Sequence, residues 1–170
     1  MNGFGIGGAS IGRLGRLQSL TIGSTTLTNV IADLSAQKKG YFANPFIAAN
    51  IGGGAWKKFT VAFDYHRQTM TLARNATFAT RDSYDRSGLF VIAPGGHATI
   101  LDVRPGTPGA QAGLSRGAAI LNVNGRPASG MSLLDIRKLL SGPVGSVVQL
   151  TVQGKNKPVQ TVRITLRDYV

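Results

Sequence analysis

Residues 88–127 constrain this chain more than any other stretch. They read Gly-Leu-Phe-Val-Ile-Ala-Pro-Gly-Gly-His, then Ala-Thr-Ile-Leu-Asp-Val-Arg-Pro-Gly-Thr-Pro-Gly-Ala-Gln-Ala-Gly-Leu, then Ser-Arg-Gly-Ala-Ala-Ile-Leu-Asn-Val-Asn-Gly-Arg-Pro. Alternating apolar residues on either side of Pro94-Gly95-Gly96 predict two short strands joined by a turn. Pro108 has the fixed φ that suits a first helical position, so a short helix of small residues is expected from Pro108 to Leu114. A strand follows and runs into Asn124-Gly125, the dipeptide that most readily takes the two positive φ values of a tight hairpin.

The remainder of the C-terminal half completes a small β-rich domain. Ser132 is a good helix N-cap with Asp135 three residues on, and Gly142-Pro143 stops the helix. Leu133, Ile136, Leu139 and Leu140 form its core stripe. Leu134 falls off that stripe, beside Arg137, Lys138 and Ser141. Val148, Leu150 and Val152 alternate, as do Val162, Ile164 and Leu166, around Gly154-Lys155-Asn156; these are the last two strands.

The order strand, strand, short helix, strand, Asn-Gly turn, helix, strand, strand resembles a bacterial-type PDZ domain. Val103-Arg104-Pro105-Gly106-Thr107-Pro108-Gly109 and Ala112-Gly113-Leu114 stand where that family has valine-x-proline-glycine-serine-proline-alanine and alanine-glycine-leucine. The resemblance implies a partly open β-barrel with two helices that captures peptides or protein C-termini as an added strand. It also implies a site. Ser87, Gly88, Leu89 and Phe90 are the loop whose backbone N–H groups hold a terminal carboxylate. Phe90, Val91, Ile92 and Ala93 are the docking edge, and Leu134 and Lys138 the facing helix wall. Where the family has glycine-aspartate-x-isoleucine, this chain has Gly117-Ala118-Ala119-Ile120, so one side-chain tie of a loop is expected to be missing.

The first half reads as glycine-rich and β-forming. Gly3-x-Gly5-x-x-Gly8 matches the spacing of a dinucleotide fingerprint, but no helical period follows it, so a hairpin tip is the better reading. Two strands are expected within 17–34 around Gly23-Ser24. A polar loop follows from Ser35 to Gly40, a helical turn through Trp56-Lys57-Lys58-Phe59, and strands at Thr60–Tyr65 and Thr69–Leu72. This order resembles the C-terminal half of a retropepsin-like aspartic protease. Gly5, Ile6, Gly7 and Gly8 resemble the tip of its flap, Asn50-Ile51-Gly52 the element beneath its catalytic loop, and Phe59-Thr60-Val61-Ala62-Phe63-Asp64-Tyr65 a strand of its bacterial members. Some of those members carry a PDZ domain after the protease and end near Leu166-Arg167-Asp168. The expected architecture is therefore mainly β with short helices. It comprises half of an acid-protease barrel (1–75), a linker (76–84) and a PDZ domain (85–170).

The chemistry of such a protease is absent from these residues. Aspartic proteolysis needs two carboxylates sharing a proton, each from an aspartate-threonine/serine-glycine loop. The chain has seven Asp and no Glu, and none of the seven opens that triplet: Asp33 precedes Leu34, Asp64 Tyr65, Asp82 Ser83 and Asp135 Ile136. No catalytic residue is assigned. The chain is read either as a C-terminal fragment of an aspartic endopeptidase, inactive alone, or as a pseudoprotease with a non-enzymatic binding or assembly role. His66 and His97 have no spacing to partners that suggests a metal site or a triad, and no cofactor is expected.

Charge and composition bound the partners. The net charge is +12, and it divides evenly. Residues 1–80 carry eight Lys or Arg against two Asp, and residues 81–170 eleven against five, +6 each. An even spread argues against a specific nucleic-acid surface, which concentrates its charge. There is no cysteine, so disulfides and thiolate chemistry are excluded, which fits cytoplasm or periplasm. The resemblance favours the periplasm for the parent protein. No apolar run approaches the roughly 20 residues of a membrane helix. Half a barrel leaves unpaired edges, so a homodimer or other self-association is expected. A frayed terminus is the expectation for Asp168-Tyr169-Val170, which as the alternative has the character of a PDZ ligand for a neighbouring copy.

Overall fold

The computed structural model describes residues 3–5, 8–10, 12–82 and 84–170, which gather into two compact units. One is built on Tyr84–Val170 and the other lies within Phe4–Ser83.

The N-terminal unit is a set of separate hairpins. Strands β1 (Gly3–Gly5) and β2 (Gly8–Ser10) form one two-stranded sheet. Strands β3 (Gly12–Ile22) and β4 (Thr25–Ser35) form another, turning at Gly23, whose φ is 58°. A helical turn, α1 (Gly53–Trp56), leads to β5 (Phe59–Asp64), which pairs with β6 (Thr69–Arg74). Among the described residues no strand of one hairpin pairs with a strand of another, so the expected half-barrel is here three open two-stranded sheets. Hairpin β3–β4 is longer than its apolar alternation suggests, because pairing continues out to Gly12 and Ser35.

The helical turn lies three residues earlier than expected. Phe59 is buried with Leu27, Val30 and Ala55 and already belongs to the strand, so burial overrides local propensity. Strand β5 stops at Asp64, one residue short of the expected Tyr65. The Asp64 carboxylate there accepts the Arg67 N–H at 2.9 Å across the turn. Strand β6 in turn runs two residues beyond Leu72.

Phe78 packs on this small core and meets Phe59 edge-on at 5.6 Å. The buried Lys58 ammonium donates to the carbonyls of Phe78 and Thr80. It also faces Asp82 Oδ1 at 3.3 Å, as an ion pair without the alignment of a hydrogen bond.

The C-terminal unit is one antiparallel sheet with its core on one face. Strand β7 (Leu89–Ile92) pairs with β8 (Thr99–Val103), and a helical turn α2 (Pro108–Gln111) leads to β9 (Ala119–Val123). After Asn124 and Gly125, both at positive φ as the hairpin requires, β10 (Arg126–Pro127) folds back on β9. Helix α3 (Leu133–Leu140) precedes β11 (Val147–Gln153) and β12 (Val159–Thr165). The sheet order is β12-β11-β9-β8-β7, so β7 and β12 are its edges and it does not close into a barrel.

Val91, Ile100, Val123, Ile136, Leu140, Leu150, Val152, Ile164 and Leu166 are at most 1% exposed and form the centre of the core. Each such side chain contributes roughly 1.5–3 kcal/mol on burial. Helix α2 is shorter than the expected span to Leu114. Its regular part ends at Gln111, and Gly113, at φ 72°, turns the chain so that the Leu114 N–H reaches the Gly109 carbonyl.

Ala118, standing where the resemblance expects an aspartate, is buried in this core. Its loop is tied by backbone instead: Gly117 N–H donates to the Ile100 carbonyl at 2.7 Å and Ile100 N–H to the Ala118 carbonyl at 2.9 Å. No helix among the described residues is long and apolar enough to cross a membrane.

Candidate peptide-binding groove

Among the described residues strand β7 is paired on one side only, with β8. Its side chains alternate: Leu89 and Val91 are buried in the core, while Phe90 and Ile92 are half-buried. Helix α3 packs against this strand. Its N-cap geometry explains its start. The Ser132 hydroxyl accepts the Asp135 N–H at 3.1 Å and donates to the Asp135 carboxylate at 2.6 Å. The bond from Ser132 holds the Asp135 carboxyl below its usual range. Ile136 and Leu140 anchor the helix in the core, which leaves Leu134 62% exposed and Lys138 exposed. Of the residues singled out from sequence, Ser87 to Ile92 form a loop and an edge strand, and Leu134 and Lys138 lie on the helix that packs against that strand.

Two residues not singled out change the character of this groove. Arg137 reaches from α3 to the edge strand, and its Nε and Nη2 both donate to the Val91 carbonyl, at 3.2 and 2.7 Å. The same guanidinium lies 5.8 Å from the Phe90 ring centroid. An acceptor that an added strand would use is therefore already engaged.

The second residue is Asp85. Its Oδ1 accepts the Ser87 N–H at 3.1 Å and the Ser87 hydroxyl at 2.5 Å, and its Oδ2 accepts the Gly88 N–H at 2.6 Å. The Leu89 N–H goes to the Ser87 hydroxyl oxygen at 3.1 Å. Burial pushes the Asp85 carboxyl above its ordinary range despite these donors. A sequence signal did exist, since aspartate two residues before a serine-glycine pair is an Asx-turn pattern.

The loop is packed closely from behind. Gly88 sits at φ 77°, and a β-carbon there would lie 2.0 Å from the Thr107 hydroxyl oxygen. Thr107 itself is buried and donates to the Arg104 carbonyl at 2.6 Å. Gly109 is equally confined, 2.5 Å from Leu89 by the same measure.

Arg86 ties the loop to the helix end. Its Nη1 donates to the carbonyls of Ser141 and Gly142, and its Nε meets Asp168 Oδ1 at 2.7 Å. A cation at a helix C-terminus is well placed for the helix dipole.

The terminal residues are held within their own unit rather than frayed. The N–H groups of Tyr169 and Val170 donate to the Tyr84 hydroxyl, at 3.0 and 3.2 Å, and the Tyr169 hydroxyl donates to Asp85 Oδ2 at 3.2 Å. Burial, then the nearby Asp85 charge, raises the Tyr169 phenol well above its usual range.

Of the flap residues read from sequence, Gly5 ends β1 and Gly8 begins β2, while Ile6 and Gly7 lie outside the described residues. His66 and His97 are both exposed. Among the described residues no three His, Asp or Glu side chains gather as a metal site would require.

An open antiparallel sheet with a helix beside one edge defines a module able to accept a further strand. Comparison with known proteins gives that module its family: residues 99–154 match the PDZ domain. The C-terminal unit carries a PDZ domain, with β7 and β12 lying outside the matched span but inside the same sheet.

Among solved structures, a photosystem II D1 C-terminal processing protease is 29% identical over 56% of this chain and 26% of its own, with a TM-score of 0.48. A PDZ domain of a carboxy-terminal protease from Vibrio cholerae, solved in complex with a peptide, is 28% identical over 49% of this chain and 94% of its own, with a TM-score of 0.43. A serine endoprotease from Yersinia pestis is 21% identical over 64% of this chain and 42% of its own, with a TM-score of 0.44. The chain thus spans about a quarter of the first of these proteins and under half of the third. No curated protein matches the chain.

Proposed function

We propose that the PDZ domain binds extended peptide segments by strand addition along β7, between that strand and α3. Phe90 and Ile92 of the edge and Leu134 and Lys138 of the helix supply the side-chain contacts. The supporting observation is that, among the described residues, β7 is an unaccompanied edge beside a helix that exposes a leucine at 62%. An exposed apolar side chain off the core stripe costs nothing to replace in the free fold, so a change there reports on binding alone. Leu134→Asp is expected to leave the unfolding midpoint unchanged. It should lower affinity about tenfold for peptides selected from a random decapeptide pool on the immobilised chain. Unchanged affinity, measured by calorimetry, overturns the assignment of the groove.

The finer reading attaches this domain to half of an aspartic peptidase, with residues 1–75 as the protease part, 76–84 as the linker and 85–170 as the binding module. Its support is the resemblance carried by Gly5 to Gly8, Asn50 to Gly52 and Phe59 to Tyr65. Under this reading the chain alone has no aspartic-protease activity, because no aspartate-threonine/serine-glycine loop is present to form the dyad. Cleavage of an unstructured protein at acid to neutral pH, sensitive to an aspartic-protease inhibitor, would sink it. The second reading is a pseudoprotease coupled to peptide binding or assembly. It is favoured by the open hairpins of the N-terminal unit, which expose Phe63 and Tyr65 and leave strand edges for self-association. Sedimentation showing a monomer at all concentrations counts against it.

A further inference from the structure

We infer that the groove of this PDZ domain takes internal extended segments rather than free carboxyl ends, because Asp85 of the same chain fills the anion position of its loop. The inference rests on the strand-addition reading above and specifies the ligand class.

A terminal carboxylate is held by consecutive backbone N–H groups at the end of the groove. Here those of Ser87 and Gly88 point at the two oxygens of Asp85, and that of Leu89 is closed by the Ser87 hydroxyl oxygen. The Ser87 and Tyr169 hydroxyls complete four donors around one side-chain carboxylate. A second carboxylate brought to the same N–H groups would stand within a few ångströms of Asp85. Two like charges sharing one site cannot both stay ionised without a large cost. The cation nearest in sequence does not offset that cost. Arg86 is engaged by Asp168 and by the carbonyls of Ser141 and Gly142.

A segment that continues past the loop makes no demand on these N–H groups. It needs only the outward backbone of β7, where the acceptor already in use is the Val91 carbonyl bound by Arg137. A peptide N–H can take over that carbonyl one for one, releasing the guanidinium toward the ligand.

The test compares two random decapeptide pools that differ only in ending as a free carboxylate or as a carboxamide, applied to the full chain and to Asp85→Ala. The wild-type chain is expected to retain both pools alike. Peptides recovered from either pool and resynthesised with both ends should differ less than about twofold in affinity. Asp85→Ala, which vacates the anion position, should come to favour the free carboxylate about tenfold.

The wild-type comparison needs no variant and stands even if Asp85→Ala does not fold. A wild-type preference of tenfold or more for the free carboxylate overturns this inference and leaves strand addition intact. Retention of neither pool by the wild-type chain overturns strand addition, and the ligand class with it. A folded Asp85→Ala that still shows no preference overturns the role given to Asp85.

Discussion

Gly88→Ala is expected to destabilise the C-terminal unit by about 2–5 kcal/mol, from two sources that add. The backbone at φ 77° costs an L-residue roughly 1–2 kcal/mol. The new methyl group then meets Thr107, whose hydroxyl oxygen and β-carbon lie 2.0 and 2.2 Å from its position. Thr107 cannot swing away, because it is buried and bonded to the Arg104 carbonyl. Relief must come from moving the loop that carries Asp85, Ser87 and Leu89, so the groove deforms with the fold.

Gly125→Ala is the control. It has the same φ of 77° and nothing within 4 Å of its β-carbon position, so it bears the backbone cost alone. Urea unfolding followed by circular dichroism, with amide exchange at Ile120 and Leu150, separates the two variants. Equal losses at Gly88 and Gly125 would show that Thr107 does not constrain the loop.

Lys58→Met is expected to destabilise the N-terminal unit by about 3–5 kcal/mol, the usual consequence of leaving one partner of a buried ion pair alone. The Lys58 and Asp82 side chains are 7% and 12% exposed, so solvent does little to replace the lost charge. The carbonyls of Phe78 and Thr80 lose their donor as well. Replacing both members, Lys58→Met with Asp82→Leu, should recover much of the loss, since an apolar pair of similar volume often does as well as a buried ion pair. It should not recover all of it, because the two carbonyls stay without that donor.

Trp56 is the only tryptophan in the chain and lies in this unit, its indole N–H bonded to the Ile51 carbonyl at 2.8 Å. Its fluorescence during urea unfolding therefore reports on this unit. A single Lys58→Met variant that unfolds with the wild type would mean the ammonium and Asp82 are solvated in solution.

Local chemistry determined most of the C-terminal unit. Pro94-Gly95-Gly96, Pro108, Asn124-Gly125 and Ser132 each act through the φ they permit or the N–H they cap, within a few residues of themselves. The alternation in β11 and β12 has a period of two that only a half-buried sheet uses. Such signals are legible without any knowledge of what lies across the core. The same is true of the β3–β4 turn at Gly23, and of the leucine of α3 left outside its core stripe.

Contacts distant in sequence were decided only by the tertiary structure. That Phe59 is strand rather than helix follows from burial beside Leu27 and Val30, some thirty residues away. That β7 is an edge depends on the order in which five strands assemble, and strand order is not encoded in the period of any one of them. The groove shows the difference most sharply. The residue types of a carboxylate-binding loop, Ser87-Gly88-Leu89, stand in the sequence. Whether their N–H groups are available does not, because Tyr169 completes the Asp85 site from 84 residues away and Arg137 reaches Val91 across 46. Hydrogen-bond donors are finite, and only folding reveals which of them the chain has already used.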